Sequence, residues 1–101
     1  MARNFGMDYE TVAAGATDQA LGVTGALNDH LARLIIVPAT TGAGSVSIKD
    51  GGGSAITVFT GGGTLSDLSP ICIEIDALST SGAWKVTTGS NVSVIAIGTF
   101  S

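Results

Sequence analysis

Cysteine and histidine are nearly absent from this 101-residue sequence, which contains one of each, Cys72 and His30. A disulfide within the chain needs a second cysteine, and a structural zinc site needs about four cysteine or histidine ligands. Neither can form within a single copy. The GxSxG pattern, which positions the nucleophile of many hydrolases, is also missing. We therefore predict a protein that is not an enzyme and that holds no metal and no cofactor.

Basic residues are equally scarce. Arg3, Arg33, Lys49 and Lys85 are the only four, they are spread along the chain, and the net charge is −4. Proteins that bind nucleic acid cluster lysine and arginine, because each cation replaces a counterion on the phosphate backbone. The sequence therefore predicts no nucleic acid partner.

Long hydrophobic runs are missing too. The longest is Leu34–Pro38, whereas a membrane-spanning helix needs about 20 apolar residues. The opening residues, MARNFGMDYE, lack the apolar core of a secretory signal. We therefore expect no membrane partner, and we expect synthesis and assembly in a cytoplasm.

Apolar residues, by contrast, are abundant. Hydrophobic residues make up 45% of the chain, charged residues only 12%, and the mean hydropathy is +0.49. Ordinary soluble domains carry about 25% charged residues. A chain this apolar that does not cross a membrane is expected to cover much of its surface with copies of itself or with a partner.

The hydrophobic pattern has a period of two. Residues 71–76 alternate as ICIEID and residues 84–87 as WKVT, and turn residues recur about every ten positions, which is typical of an all-β sandwich. We predict one domain overall, with an antiparallel β-sandwich at residues 18–101. Residues 1–17 are expected to form a first strand or an N-terminal arm that reaches a neighbouring copy. About eight strands are expected, near residues 8–13, 18–22, 30–37, 45–50, 54–60, 70–76, 83–88 and 92–100.

The glycine run in SVSIKDGGGSAITVFT, residues 45–60, could cradle a phosphate or simply turn the chain. A phosphate-binding loop opens a helix, and the P-loop type also supplies a lysine. Here AITVFT follows the glycines, and it has strand character. We therefore predict a hairpin whose three-residue loop is 51–53, with a left-handed residue at the end of the loop.

That hairpin sets the faces of its two strands. Pairing Ile48 with Ile56 and Val46 with Val58 collects apolar side chains on one side, and a loop one residue longer or shorter would mix the faces. Phe59 then projects from the otherwise polar side. A large apolar side chain there is expected to be covered, either by the second sheet or by a neighbouring subunit. Phe59 is therefore a candidate subunit-interface residue.

A second hairpin is predicted around residues 89–91, between the last two strands. Its register places Trp84 opposite Ala96, as a core pair. The last strand is apolar on both faces, with Ile95 and Ile97 on the side away from Ala96. A strand of this kind is either central and covered on both faces or lies at a subunit contact. Ile95 and Ile97 are therefore the other candidate interface residues.

Few side chains suggest chemistry. Glu74 and Asp76 share a strand face about 7 Å apart, a separation that a glycosidase could use, but we expect a solvated acidic pair. His30 follows Asp29 and could form a hydrogen bond to it. Cys72 has no electropositive neighbour in the sequence, so we expect a small packed or half-exposed thiol and not a catalytic nucleophile. None of these residues is predicted to be catalytic.

Segments 18–22 (DQALG), 35–44 (IIVPATTGAG), 45–59 (SVSIKDGGGSAITVF) and 81–98 (SGAWKVTTGSNVSVIAIG) resemble a family of small structural proteins of tailed bacteriophages. The resemblance covers nearly the whole chain after its first ten residues or so. It consists of strand and turn patterns, so it assigns no binding residue in this sequence. It implies a jelly-roll-like β-sandwich with a structural role in the virion.

More narrowly, the resemblance implies a capsid decoration or cement protein. Such a protein would be a homotrimer that binds the major capsid protein at the capsid surface of the virion, after assembly in the host cytoplasm. Two other classes stay open. A tail- or fibre-associated module that binds a receptor or glycan would favour aromatic side chains on its loops, and these loops have almost none. A small glycosidase would use Glu74 and Asp76.

Overall fold

The computed structural model describes residues 7–39, 42–61 and 69–101. These residues form eight strands and no helix, which confirms the all-β prediction, and each strand overlaps a predicted one. The strands are β1 (Asp8–Val12), β2 (Gln19–Ala20), β3 (His30–Pro38), β4 (Val46–Asp50), β5 (Ile56–Phe59), β6 (Ile71–Leu78), β7 (Trp84–Thr88) and β8 (Val92–Thr99).

The predicted N-terminal section, residues 1–17, contains β1, which pairs along its whole length with β8. Residues 1–6 lie outside the described part of the chain. The arm that we predicted for this section therefore stays a prediction, and the structure describes residues 7–17 of the section, which include the first strand.

The strands form two four-stranded sheets in which every neighbouring pair is antiparallel. Sheet A has the order β1-β8-β3-β6, and sheet B has the order β2-β7-β4-β5. Apart from β4 and β5, consecutive strands lie in opposite sheets. Most connections therefore pass from one sheet to the other, and they collect at the two ends of the strands.

The two sheets pack on a common core. Alternate residues of the inner strands are buried, which is the pattern expected when one face of each sheet is covered. Trp84 of β7 is 5% exposed, and its indole N–H donates a hydrogen bond of 3.0 Å to the Asp29 carbonyl, so its predicted core position is confirmed. The core consists of Val12, Leu21, Leu31, Leu34, Ile36, Ala43, Val46, Ile48, Trp84, Val86, Val92, Val94 and Ala96.

The β4–β5 hairpin follows the predicted register next to its turn and departs from it further along. Ile48 faces Ile56, as predicted, but Val46 faces Phe59. The predicted pairing of Val46 with Val58 is therefore wrong. A bulge beside Val46 causes the difference, because an extra residue in one strand shifts the pairing of the residues that follow.

Strands β7 and β8 do not form the predicted hairpin. β7 lies in sheet B and β8 in sheet A, so residues 89–91 connect the two sheets. Trp84 pairs with Asp50, and Ala96 pairs with Leu34, which means that the predicted pairing of Trp84 with Ala96 is wrong. Both side chains are nevertheless in the common core, because facing sheets meet through their side chains.

Candidate functional site

The outward face of sheet A is apolar at its centre. On β8, Ile95 and Ile97 alternate with buried residues and lie outside the core. On β3, Ile35 and Val37 do the same. Ile35 pairs directly with Ile95, so the side chains of the two strands adjoin. These four half-buried residues are called the outer A patch below.

Ile95 and Ile97, predicted at a subunit contact, therefore lie together on a central strand. β8 has β1 on one side and β3 on the other. Its inner face, with Val94 and Ala96, is buried in the core. An antiparallel sheet that faces water normally carries polar side chains on its outer face, but the middle outward positions of this strand are isoleucines. The interface role of Ile95 and Ile97 stays a prediction, now attached to a defined surface.

Polar groups surround the outer A patch. Arg33 faces Ile97 on one side and Glu74 on the other. Its Nε lies 3.0 Å from Glu74 Oε2, so the two charges neutralise each other. On the other side of the patch, Tyr9 faces Ile97 and is 73% exposed. Cys72 is exposed on the edge strand β6.

The outward face of sheet B has the opposite character. Its positions on β4, β5 and β7 are polar, namely Ser47, Lys49, Thr57, Lys85 and Thr87. Asp18 adjoins this face and accepts hydrogen bonds from Lys49 Nζ at 3.2 Å and from the Thr87 hydroxyl at 3.1 Å. These bonds, with that of Lys49 the larger, lower the pKa of Asp18 below its ordinary value of 3.8. Sheet B thus presents the hydrated face expected of an antiparallel sheet.

Phe59, the third predicted interface residue, lies apart from the outer A patch. It ends β5, which is an edge strand of sheet B. The bulge pairs it with Val46, and its partly buried ring packs against the core. Contact with the second sheet was one of the two alternatives that the sequence left open. The structure therefore does not bring Phe59 together with Ile95 and Ile97.

A second exposed apolar surface lies at one end of the sandwich. The β2–β3, β4–β5 and β6–β7 connections, residues 21–29, 51–55 and 79–83, meet there and are joined by main-chain hydrogen bonds. Together with the start of β1 and the end of β8 they form what we call the loop end. Six of the seven large exposed hydrophobic side chains in the described residues lie in or next to it: Met7, Tyr9, Val23, Leu27, Ile56 and Leu78.

Sequence reasoning missed this surface. Val23 is 98% exposed and Leu27 is 58% exposed, and both lie in the connection 21–29. The available signal was the segment LGVTGALN, in which large apolar residues are separated by glycines without the alternation of a strand. Single exposed hydrophobic residues are ordinary, but a group of them marks a contact surface.

Asp29 ties the loop end to both sheets. It is 6% exposed, and its carboxylate accepts hydrogen bonds from the N–H and hydroxyl of Ser101 at 3.2 and 3.0 Å. The Ser79 hydroxyl donates to the Ala26 carbonyl at 2.7 Å and accepts from the Asp29 N–H at 3.1 Å. A buried carboxylate requires partners of this kind. The exposed apolar side chains therefore project from a connection that is held in place.

The glycine run forms the tip of the β4–β5 hairpin, also at the loop end. The Gly53 N–H donates to the Asp50 carbonyl at 2.9 Å. The positive φ, 58°, falls on Gly51, the first residue of the loop, and not on the last as predicted. Gly51 is needed there because a side chain would overlap the main chain of Ser81. The Asp50 carboxylate accepts from the Thr80 hydroxyl at 2.7 Å, which is the largest of the effects that lower the pKa of Asp50 below 3.8.

An open cleft of about 410 Å³ adjoins the loop end. Tyr9 and Phe100 supply aromatic walls, and Asp8 and Glu10 supply carboxylates. Glu10 is already engaged, since its Oε1 accepts the Gly22 N–H at 2.8 Å. The volume lies in the range of small-ligand sites, which usually combine apolar walls with a few polar groups.

The side chains weighed from the sequence as catalytic candidates do not form one common site. Glu74 forms the ion pair described above, and Asp76 Oδ1 lies 2.7 Å from His30 Nε2. His30 therefore contacts Asp76, whereas the sequence suggested Asp29. Cys72 Sγ lies 3.8 Å from Glu74 Oε2. Both acids are exposed, and each is paired with a different residue.

Within residues 7–39, 42–61 and 69–101, no group of three or more histidine, cysteine, aspartate or glutamate side chains is placed to hold a metal ion. That part of the chain also contains no helix with the length and apolarity needed to cross a membrane. Comparisons with family models, with curated proteins and with solved structures gave no match. The two apolar surfaces are therefore the features from which a function can be inferred.

Proposed function

We propose that this protein is a non-enzymatic structural component of a virus particle, a capsid decoration or cement protein. It would bind the outside of the capsid shell as a homotrimer and stabilise the shell. The observation that carries the proposal is the group of exposed apolar side chains at the loop end. Val23, Leu27 and Leu78 lie outside the core, and a group of this kind marks contact with a large partner.

The strand order supports a jelly roll as the finer description of the sandwich. The pairs β1/β8, β2/β7, β3/β6 and β4/β5 are all neighbours, as they would be in one long hairpin folded over into two sheets. An eight-stranded jelly roll has this kind of arrangement, and the fold occurs in viral capsid proteins and in lectins. A fold alone does not assign a function, but this one fits the resemblance to phage structural proteins.

The charges at the loop end favour an unlike partner. Residues 21–29, 51–55 and 79–83 contain no lysine or arginine. Asp76 is exposed nearby, on β6, and Asp8 at the start of β1. Two copies that met through this acidic surface would repel each other, whereas a partner with an apolar centre and basic residues around it would be complementary. We therefore assign the loop end to the shell protein.

The proposed mechanism is binding alone. The loop end is tied to both sheets by Asp29, so little conformational entropy is lost when it docks. A homotrimer would present three loop ends at once, and simultaneous attachment multiplies the affinity of each. A bridge across neighbouring shell subunits would then resist their separation.

Electron microscopy of the parent virus particle tests where the chain sits. Density for this chain on the outer surface of the shell, with the loop end facing the shell, is the expected result. Density on the tail or on a fibre would contradict the decoration role and support the second candidate described below.

Rebinding to particles stripped of this protein tests the surface. The double variant Val23→Ser/Leu27→Ser removes two exposed apolar side chains without touching the core, so the fold is expected to survive. It should bind about 100-fold more weakly, as expected when central contact residues are lost. The matched control Ser47→Ala/Thr57→Ala changes the outward face of sheet B and should bind like the original. Equal binding of the Val23/Leu27 variant would contradict the proposal.

The cleft beside Tyr9 favours a second candidate, a tail- or fibre-associated module that binds a receptor or glycan. An exposed tyrosine ring offers an apolar face and a polar tip, and the Asp8 carboxylate lies in the same cleft. Binding to a glycan array that is lost in the Tyr9→Ala variant would support this candidate. An array without bound glycans would favour the decoration role.

A further inference from the structure

We propose that the outer A patch is the surface through which copies of this chain contact one another. The inference rests on the self-assembly included in the proposed function and names the surface that mediates it. Ile35, Val37, Ile95 and Ile97 come from the two central strands of sheet A. The expected occupant of the patch is a second copy of the same chain.

The first reason is the difference between the two outward faces. Sheet B places serine, threonine and lysine outward, while the centre of sheet A places isoleucine and valine outward. Strand propensity does not explain this difference, because threonine is as well suited to a strand as valine or isoleucine. An outward face that carries only apolar side chains at its centre is expected where something covers it.

The second reason is size. β3 has 9 residues and β8 has 8. With a rise of about 3.3 Å per residue and a strand spacing of about 4.8 Å, the whole outward face of sheet A, which is the patch together with the polar groups around it, covers about 500 Å². A contact that buries such a face on each of two copies removes about 1,000 Å² from water, which reaches the lower limit for a specific protein interface.

The third reason is charge, which selects a second copy as the occupant. Each copy carries a net charge of −4, so copies repel except through a neutral surface. The outer A patch offers one, because the nearby Arg33 and Glu74 form an ion pair with each other at 3.0 Å. Such a contact buries apolar side chains, and the two charges next to the patch, Arg33 and Glu74, stay paired with each other.

The patch could form the contact between copies in either a dimer or a closed trimer. In a dimer, two such faces meet each other, and in a closed trimer the face of one copy packs on a different surface of the next. In either case the side chains of Ile35 and Ile95 become buried. Cys72 faces Ile35 on the neighbouring strand β6 and is exposed in a single copy. Its thiol therefore reports whether the patch is covered.

Sedimentation equilibrium of the full chain tests the proposal with this protein alone. The double variant Ile95→Thr/Ile97→Thr keeps β-branched side chains suited to a strand and makes the patch polar. It should associate at least about 100-fold more weakly than the original, a difference of about 2.8 kcal/mol. The control Val23→Ser/Leu27→Ser also removes two exposed apolar side chains, but at the loop end, and should associate like the original. Circular dichroism checks that both variants fold.

The rate at which Cys72 reacts with a maleimide gives a second readout. In the original chain the rate should rise on dilution, and in the Ile95/Ile97 variant it should be high at every concentration. If the Ile95/Ile97 variant fails to fold, Ile35→Thr provides the same test from the neighbouring strand.

Two results would overturn the inference. One is an original chain that stays monomeric, and the other is an oligomer whose association constant and Cys72 reactivity are unchanged in the patch variants. An intact oligomer that loses shell binding in the patch variants would also count against a copy contact. Failure of the proposed function is measured by a different experiment, in which the Val23/Leu27 variant would bind the shell as well as the original. The two failures are therefore distinguishable.

Discussion

The outward faces of the two sheets differ although the sheets share one core. On sheet B the outward positions, such as Thr57 and Thr87, are polar, and Lys49 is paired with Asp18. On sheet A the central positions are Ile35, Val37, Ile95 and Ile97. The inward faces must be apolar in both sheets because they build the core. The outward faces do not build the core. Whether their side chains are polar or apolar therefore indicates whether each face is in contact with water or with a partner.

The largest difference in stability is expected between two glycine-to-alanine variants, one in a crowded part of sheet A and one in an open part of sheet B. Gly98 lies in β8, where a side chain would overlap the carbonyl oxygen of His30. Gly98→Ala should therefore lower the free energy of unfolding by about 3 kcal/mol, as measured by urea denaturation. Gly52 lies in the hairpin of sheet B, where a Cβ would meet nothing within 4 Å. Gly52→Ala should change stability by less than about 0.5 kcal/mol, and similar losses for both would contradict the account of β8.

The next largest effect on stability is expected from substitutions on the two faces of β8. Val94 is fully buried in the core, so Val94→Ala should lower stability by about 2 kcal/mol at every protein concentration. Ile95→Ala should cost about 1 kcal/mol in dilute solution, and the cost should grow with concentration because the variant also loses a contact with a second copy. Thermal unfolding over an approximately 100-fold range of concentration measures both. A cost for Ile95→Ala that does not vary with concentration would separate Ile95 from any copy contact.

A smaller effect is expected from the ion pairs of the two faces. Exposed pairs of this kind contribute about 0.2–1 kcal/mol. On sheet B, Lys49→Gln should therefore have a small effect that salt diminishes, and it should leave the association of copies unchanged. On sheet A, Glu74→Gln leaves Arg33 without its partner at the covered face, and it should weaken association by about 10-fold. Sedimentation of both variants makes the comparison, and equal association would place Glu74 outside the contact.

The smallest effect is a dependence on pH at the hairpin of sheet B. The pKa of Asp50 is lowered in the folded protein, the Thr80 hydroxyl contributing most. Its contribution to stability is therefore present above the ordinary pKa of 3.8 and is lost as the pH falls through the lower, folded value. Urea denaturation between neutral and acidic pH should show a smaller loss in Asp50→Asn than in the original. An identical loss would mean that these hydrogen bonds do not contribute.

Much of the fold could be predicted from the sequence, because the period of two and the spacing of turns are local signals. The pairing of Ile48 with Ile56 followed from the turn chemistry of the glycine run. The placement of β7 and β8 in different sheets could not be predicted, because alternation specifies the faces of a strand and not its neighbour. A short connection such as 89–91 can close a hairpin or cross between sheets, and packing of the whole chain decides which.

The candidate surfaces could be predicted only in part. Ile95 and Ile97 stood out because they lie on the second apolar face of one strand. Phe59 was assigned to a polar face, and the bulge beside Val46, which has no clear sequence signal, instead pairs it with a core residue. The loop end depends on three connections that are distant in sequence, so its group of apolar side chains becomes visible only when the sheets are assembled.

Light scattering of the unmodified chain at increasing concentration tests the central claim most directly. One copy has a mass of 10.0 kDa, and the apolar outward face of sheet A predicts a particle of two or three times that mass at micromolar concentration. A particle that keeps the mass of one copy at every concentration would show that the outer A patch is not covered by a second copy.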